Sequence, residues 1–195
     1  DRPVHAVSQA GPLRDPGVTG AAPLQIVPLQ DHSPSPASLH ALASELSQYL
    51  CVPAVILAPV VAPRNAWSDQ RLSSNMIVDW LVERFDVSDG FWTLALTEAD
   101  LLAPGRDFVF GEATLGGAWA VVSSARLGDG QGSGDLLQER LFKESLHEIG
   151  HLAGLGHCTR RGCVMCRSSS AAAVDMKSKE FCGNCVSAFF QSARS

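Results

Sequence analysis

Short apolar runs alternate with segments of helical spacing along most of the chain. The run at 24–29 predicts a strand, and Ser35-Pro36 is typical of a helix start, with an N-cap serine before a first-turn proline. Apolar residues then recur every three or four positions, which predicts an amphipathic helix with one buried face: Leu39, Leu42, Leu46 and Leu50. The β-branched run 55–61 predicts a second buried strand beside the first.

The same alternation continues downstream. Spacing predicts a second helix over 72–85, strands at 92–96 and 119–122, and a shorter extended piece at 108–110. A glycine-rich loop at 128–135 precedes a long helical pattern through 137–149. Strands alternating with helices predict an α/β fold with helices packed on a layered sheet. Residues 1–22, rich in Gly, Pro and Ala, are expected to form a flexible tail before one domain, 23–195.

Composition and charge exclude several classes of protein. Apolar residues make up 46% of the chain and charged residues 18%, an ordinary globular balance rather than a disordered one. A net charge of −5 argues against a basic nucleic-acid-binding face. The longest apolar stretch, 50–63, is interrupted by Pro53 and Pro59 and falls short of the ~20 residues that span a membrane. We therefore expect neither a nucleic-acid nor a membrane partner.

Cysteines concentrate near the end of the chain, where five of the six lie beyond residue 157. In a small secreted protein they would suggest disulfides, but Cys-x-x-Cys pairs close to histidines are more typical of zinc ligands. This favours zinc, and with it a reducing, cytoplasmic location. Spacing alone allows a zinc-ribbon set made of two such pairs: Cys163, Cys166, Cys182 and Cys185.

A histidine cluster lies at the end of the long predicted helix. His147 and His151 are four residues apart, so both imidazoles project from one helical face and can share a metal ion. Glu148 can reach a metal-bound water without being a ligand. His157 reaches the same metal only if the chain turns sharply, which Gly154 permits. Three imidazoles leave the fourth tetrahedral position open, as in catalytic zinc sites.

The His-Glu-x-x-His-x-x-Gly-x-x-His run at 147–157 resembles the metzincin metallopeptidases, which implies a methionine turn under the metal at Met165. With the cysteines included, the chain resembles the archaemetzincin family. Similar segments are 97–101, 108–113, 124–127, 143–144 and 174–177. The resemblance implies a zincin-like (metzincin) fold: a twisted mixed sheet with packed helices and an active-site helix within about 23–153, then a short zinc-stapled C-terminal part within about 154–195.

The resemblance also implies two zinc ions per chain and an activity. A catalytic zinc would be held by the histidines, with Glu148 as general base, in an enzyme that hydrolyses peptides or small proteins. A structural zinc would be held by a set that leaves Cys166 free: Cys158, Cys163, Cys182 and Cys185. We expect a monomer. The family pattern continues after the methionine turn with an aromatic residue, Ser and Asn, whereas this chain has Arg167-Ser-Ser-Ser170, so substrate specificity does not transfer.

Further expectations concern the cleft. An exposed sheet edge can bind an extended peptide, and the candidate segment, with a core strand as the alternative, is Ala118, Trp119, Ala120, Val121 and Val122. An aminopeptidase would need an acidic anchor, for which Glu112 or Asp100 would have to reach the cleft. Otherwise these two, and Asp175, are structural hydrogen-bonding residues. Lys143 and Glu144 are predicted to lie on a solvated helix surface.

Two alternatives to an enzyme remain. One is a catalytically latent zinc-binding scaffold or interaction protein, with the cleft covered by the 128–135 loop or the N-terminal tail. Glu148 argues against it, because a scaffold does not need that carboxylate. The other is a zinc ribbon that binds nucleic acid, for which Arg160, Arg161 and Arg167 lie close in sequence. The net negative charge argues against this second alternative.

Overall fold

The computed structural model describes residues 22–85, 90–128 and 134–192, which form nine strands and five α-helices. The strands are β1 (Leu24–Pro28), β2 (Ala54–Ile56), β3 (Trp67–Ser68), β4 (Arg71–Ser73), β5 (Trp92–Thr97), β6 (Leu101–Ala103), β7 (Arg106–Val109), β8 (Gly111–Ala113) and β9 (Trp119–Ser123). The helices are α1 (Pro36–Leu50), α2 (Ser74–Arg84), α3 (Gly134–Leu152), α4 (Ala171–Asp175) and α5 (Gly183–Ser192).

A mixed five-stranded sheet, in the order β2-β1-β5-β9-β8, is the centre of the fold. Its first four strands are parallel, and β8 runs antiparallel to β9 at one edge. A second, four-stranded sheet in the order β3-β4-β6-β7 adds a hairpin, β6–β7, beside that edge. The α/β fold class predicted from the alternation is confirmed.

Alternating side chains of the central strands pack on two different cores. Leu94, Ala120 and Val122 lie on the face covered by α1 and α3, whereas Ala95 and Val121 face α2 and the small sheet. The inner strands of a parallel sheet are buried on both faces, which is why β5 and β9 are continuously apolar or small.

The first helix forms as its sequence predicts. The Ser35 hydroxyl oxygen accepts a hydrogen bond from the Ser38 backbone N–H, and Pro36 occupies the first turn. Its four predicted leucines are all buried. Burying a leucine side chain stabilises a fold by about 1.5–3 kcal/mol, so this stripe fixes α1 on the sheet.

The second apolar run differs from its prediction. Only Ala54–Ile56 pairs with β1, and beyond it a single bridge joins Leu29 to Val60. This strand is an edge, with Val55 42% exposed, so the prediction of a buried strand over 55–61 is wrong. Pro59 lacks the N–H that a continuing ladder needs.

Several predictions fall partly or wholly outside the described residues. The predicted tail lies there apart from its last residue, as does most of the 128–135 loop, although α3 already begins at Gly134. In the described part of the chain, no helix combines the length and apolar character needed to cross a membrane. Beyond α3, a bidentate ion pair between buried Arg140 and Asp175 fixes α4 against it.

Candidate active site and second metal centre

The end of α3 sets the geometry of the histidine cluster. The helix stops at Leu152, and Gly154 adopts a left-handed φ of 82°. The Gly154 N–H donates to the His151 carbonyl at 2.9 Å, which closes the last turn. This reversal carries His157 back to the two helical histidines, as the sequence predicts.

Three imidazoles converge at this turn. Their ligand nitrogens lie within 4.8 Å of one another, and the Nε2 atoms of His147 and His151 are 3.2 Å apart. Ligands at 2.0–2.1 Å from a tetrahedral zinc would be about 3.3–3.4 Å apart, so the spacing fits a zinc ion. Hydrogen bonds fix the orientation of two of the rings: Nδ1 of His147 donates to the Val164 carbonyl, and Nδ1 of His151 donates to the Leu155 carbonyl.

The environment keeps these imidazoles neutral. Burial, followed by the charge of Lys177, lowers the pKa of His147 to about 2. Burial likewise lowers the pKa of His157 to about 4 and also lowers the pKa of His151. Neutral imidazole is the form that binds a metal, so near pH 7 the cluster is ready for a divalent cation.

Glu148 lies beside the cluster with one oxygen free. The side chain is only 4% exposed, and its Oε2 has no hydrogen-bond partner among the described residues. Burial, then repulsion from Glu144, raises its pKa well above the ordinary value. An unpartnered buried carboxylate oxygen is costly unless something else binds there, and a metal-bound water meets that need. The residues present therefore fit a catalytic zinc.

The sheet edge beside the cluster is β8, not β9. Strand β9 is paired on both sides, with β5 and β8, and its Ala120, Val121 and Val122 are fully buried. The prediction that Ala118 to Val122 forms the substrate edge is wrong, and the segment is the core strand that was its alternative. An open cleft of about 970 Å³ instead runs along β8, and Gly111, Glu112 and Ala113 line it.

Gly111 is a site residue that sequence reasoning missed. A methyl group added there would lie 2.7 Å from Cγ and 2.8 Å from Oε1 of Glu148, and 2.8 Å from the Val121 carbonyl oxygen of β9, closer than packed atoms approach. The glycine therefore makes room for the Glu148 carboxylate. The only sequence signal was its place in the 108–113 segment.

Gly111→Ala is expected to displace Glu148 and leave the histidines in place. A misplacement of about 1 Å at a reacting group costs about 10²-fold in rate, so kcat/KM for peptide hydrolysis should fall by that factor. Zinc content, measured by atomic spectroscopy, should stay at the wild-type level. The matched control is Gly128→Ala, because a methyl group there meets no described atom within 4 Å. Wild-type activity in Gly111→Ala would contradict the assignment.

Met165 lies under the histidines, where the resemblance places the methionine turn. It is fully buried, and a methyl group on Gly150 of the active-site helix would overlap its Sδ. The residue before it, Val164, accepts the His147 hydrogen bond. Met165 therefore supports the ligand-bearing turn of α3 by close packing.

A second cluster of four thiols lies behind this turn. The sulfurs of Cys158, Cys163, Cys182 and Cys185 are all within 4.8 Å of one another, with pairs at 3.7 and 3.8 Å. Thiolates 2.3 Å from a tetrahedral zinc are about 3.8 Å apart, whereas a disulfide requires about 2.05 Å. The geometry fits a closed four-cysteine zinc site. Backbone N–H groups of Arg160 and Cys182 donate to two of the sulfurs.

Cys166 lies apart from this cluster. Its thiol donates to the Arg160 carbonyl at 3.0 Å. The structure therefore brings together the set implied by the family resemblance and not the zinc-ribbon set that spacing alone allowed.

Lys143 and Glu144 are buried, so the prediction of a solvated surface is wrong. Both are 3% exposed, and the Glu144 carboxylate accepts a 2.8 Å hydrogen bond from Nζ of buried Lys177. Lys143 pairs with Glu139 one turn away. Glu144 and Lys177 form a buried ion pair one helical turn from Glu148, on the polar face of α3.

Lys177→Met should destabilise the protein by about 3–5 kcal/mol at pH 7.5, because it leaves the Glu144 carboxylate buried without a counter-ion. Burial already raises the pKa of Glu144, and it would be higher still in this variant. Because this pKa is raised in the folded state, the Glu144 carboxylate is protonated at a higher pH there than in the unfolded chain. The neutral carboxyl group needs no counter-ion, so the loss of stability in Lys177→Met should shrink as the pH falls towards 5.

Urea unfolding of the zinc-loaded variant at both pH values measures this. The matched control is Lys179→Met, which breaks the exposed pair with Glu45 and should cost at most about 1 kcal/mol. Equal losses of unfolding free energy in Lys177→Met and Lys179→Met would show that the buried pair stabilises the protein no more than the exposed pair does.

The remaining predicted carboxylates separate into two groups. Asp100 is ion-paired with Arg71 and Arg126, and it does not line the cleft. Asp175 is the partner of Arg140, so both are structural, as predicted. Glu112 does line the cleft, and its carboxylate accepts a hydrogen bond from the Ser74 hydroxyl.

Tyr49, the only tyrosine, is outside this site. Its hydroxyl accepts a hydrogen bond from the Phe181 N–H in the core, and burial raises its pKa to about 12. It is therefore not a donor in the cleft.

Comparison with known proteins gives consistent matches. The model of Peptidase family M54 matches residues 70–190. Archaemetzincin from Methanopyrus kandleri is 54% identical over 93 residues, which cover 48% of this chain and 52% of that protein, about half its length. Archaemetzincin from Aeropyrum pernix is 37% identical over 157 residues, 74% of this chain and 81% of that protein.

A solved structure shows the same fold. The crystal structure of archaemetzincin from Methanopyrus kandleri matches with a TM-score of 0.78 and 34% identity, covering 90% of this chain and 97% of that one. The twisted mixed sheet with packed helices, expected from the resemblance, is confirmed.

Proposed function

Because the chain belongs to peptidase family M54, we propose that it is a zinc metallopeptidase that hydrolyses peptide bonds in peptides or small proteins. One observation carries the proposal: three neutral imidazoles within ligand distance of one another, beside a buried carboxylate with an unpartnered oxygen. The motif resemblance to archaemetzincins is confirmed by the family match.

His147, His151 and His157 would hold the zinc ion. Bound there, zinc supplies a Lewis acid for the scissile carbonyl and lowers the pKa of a water molecule. Glu148 accepts the proton of the attacking water on its carboxylate and passes it to the leaving amine. Strand β8 binds the substrate main chain as an added strand, because its outer edge borders the cleft.

Cys158, Cys163, Cys182 and Cys185 would hold a second, structural zinc. A site with four thiolates has no open position for substrate. Its role is to fix the segment that carries Met165. The Cys158 N–H donates a hydrogen bond to the Met165 carbonyl at 2.9 Å, which joins the four-cysteine site directly to that segment. Four reduced thiols at a metal site suit a reducing compartment, which supports a cytoplasmic location. We expect the protein to act as a monomer.

A peptide library digested with the zinc-loaded protein and read by mass spectrometry tests the proposal. New peptide termini should form, vanish after chelation and return with zinc. Removal of single N-terminal residues would identify an aminopeptidase, for which Glu112 is the one of the two expected anchors that lines the cleft. Internal cleavage would identify an endopeptidase. If no termini form at any zinc level, the peptidase assignment fails and the latent scaffold becomes the better description.

A further inference from the structure

Two arginines line the cleft without a carboxylate partner. Arg106 begins β7 on the hairpin that borders the cleft, and Arg167 follows the methionine turn on the C-terminal part. Both are exposed, and in the described part of the chain neither lies within 4 Å of a carboxylate oxygen.

Both arginines line the part of the cleft that contains the three histidines. Nε of Arg167 donates to Nδ1 of His157 at 3.2 Å. Arg106 lines the same cleft as the three histidines. These cations therefore lie close to where the scissile bond of a substrate would be.

The hydrogen bond between Arg167 and His157 does not survive metal binding. A neutral imidazole that binds a metal through one nitrogen carries its proton on the other, so it cannot accept a bond from a guanidinium. With zinc bound, the Arg167 guanidinium needs a new acceptor.

Ser168 adds a hydroxyl group to the same cleft. It lines the same cleft, and its Oγ is buried without a hydrogen-bond partner among the described residues. Two guanidinium groups and a hydroxyl that line one cleft are complementary to a carboxylate, which offers only acceptors. Two of the four carboxylates that line the cleft are engaged, since Glu144 pairs with Lys177 and Glu112 accepts a hydrogen bond from Ser74. The other two, Asp107 and Glu148, form no ion pair with either arginine among the described residues.

We propose that Arg106, Arg167 and Ser168 form a carboxylate subsite, which binds the acidic group of a substrate residue next to the scissile bond. The carboxylate is that of a Glu or Asp side chain or of a free C-terminus. This inference rests on the proposed peptidase function, because it assigns the substrate class of the same cleft.

Binding to an inactive protein tests the subsite without turnover. The first set consists of fluorescent alanine hexapeptides with an amidated C-terminus and Glu, Gln or Lys at a central position. The second set is a pair of all-alanine peptides, one with a free C-terminal acid and one with a C-terminal amide. Anisotropy is measured with zinc-loaded Glu148→Gln protein. We expect Kd about tenfold lower for Glu than for Gln, or for the acid than for the amide, because charge-assisted bonds to Arg are strong. Which pair discriminates identifies the source of the carboxylate.

The arginine variants decide whether the preference comes from this subsite. Arg106→Gln and Arg167→Gln, each in the Glu148→Gln background, should reduce the ratio to about threefold or less. Arg161→Gln changes the net charge equally outside the cleft and should leave the ratio intact. Zinc is measured for each variant, and Arg106→Gln keeps the test valid if Arg167→Gln alters metal binding.

The outcomes separate the subsite from the peptidase function. Equal Kd values within both peptide pairs, no binding of any peptide, or a preference that survives both arginine variants would each overturn the subsite. Hydrolysis by the wild-type protein without carboxylate preference overturns the subsite and leaves the function standing. A carboxylate preference without hydrolysis of any peptide supports the subsite and overturns the peptidase function.

Discussion

Glu148→Gln is expected to reduce peptide hydrolysis by about 10²–10⁴-fold, the usual contribution of a general base. The amide keeps the shape of the side chain but cannot accept the proton of the attacking water. The substitution should spare zinc, because the three histidines do not depend on Glu148 for their hydrogen bonds: His147 is held by Val164 and His151 by Leu155.

Activity on a peptide found in the library digest, together with zinc per chain, measures both expectations. Glu83→Gln is the matched control, an exposed glutamate on α2 with no role in the cleft. Turnover within about threefold of wild type would remove the general-base role from Glu148. Loss of zinc with loss of turnover would make Glu148 a support of the metal site instead.

Cys158→Ser is expected to lose the structural zinc, whereas Cys166→Ser should keep it. The Cys158 sulfur lies 3.8 Å from that of Cys182, as ligands of one zinc do, but Cys166 bonds the Arg160 carbonyl. Structural zinc binds zinc-finger peptides with about 10–16 kcal/mol, comparable to the whole stability of a domain.

Thermal unfolding under reducing conditions measures the consequence. Losing even several kcal/mol in a chain of this size lowers Tm by about 10 °C or more, since each kcal/mol is worth about 2–4 °C. One zinc fewer per chain should accompany the lower Tm of Cys158→Ser. The opposite pattern, with zinc lost in Cys166→Ser and kept in Cys158→Ser, would establish the zinc-ribbon set.

The histidine site could be predicted from sequence because its information is local. A four-residue spacing on a helix fixes the relation of His147 to His151, and one glycine allows the turn that returns His157. The cysteine set was different, because spacing alone fits a zinc-ribbon set that includes Cys166. Only the fold brings Cys158 to Cys182, and only the family resemblance anticipated it.

The misplaced strand edge shows where local pattern fails. A buried strand and a substrate-binding strand have the same apolar run, so Val121 and Val122 could not reveal that β8 pairs outside them. Strand β8 has three residues and no apolar pattern of its own. Pairing across the sheet is non-local and does not show in spacing.

The buried ion pair had a signal that could have been used. Arg140, Glu144, His147, Glu148 and His151 recur at three- and four-residue spacing, a polar stripe along a helix whose end carries the proposed metal ligands. Such a stripe predicts that Glu144 faces the site along with Glu148. Its partner Lys177 lies 33 residues away in the C-terminal part, and nothing local connects the two.

Zinc per chain before and after brief chelation tests the central claim, that the protein holds one exchangeable catalytic zinc and one enclosed structural zinc. The account predicts two ions, of which the one at the three histidines is lost quickly together with hydrolysis and regained on adding zinc, since its open position admits the chelator. A single zinc that resists chelation, with no activity dependent on a second ion, would contradict it.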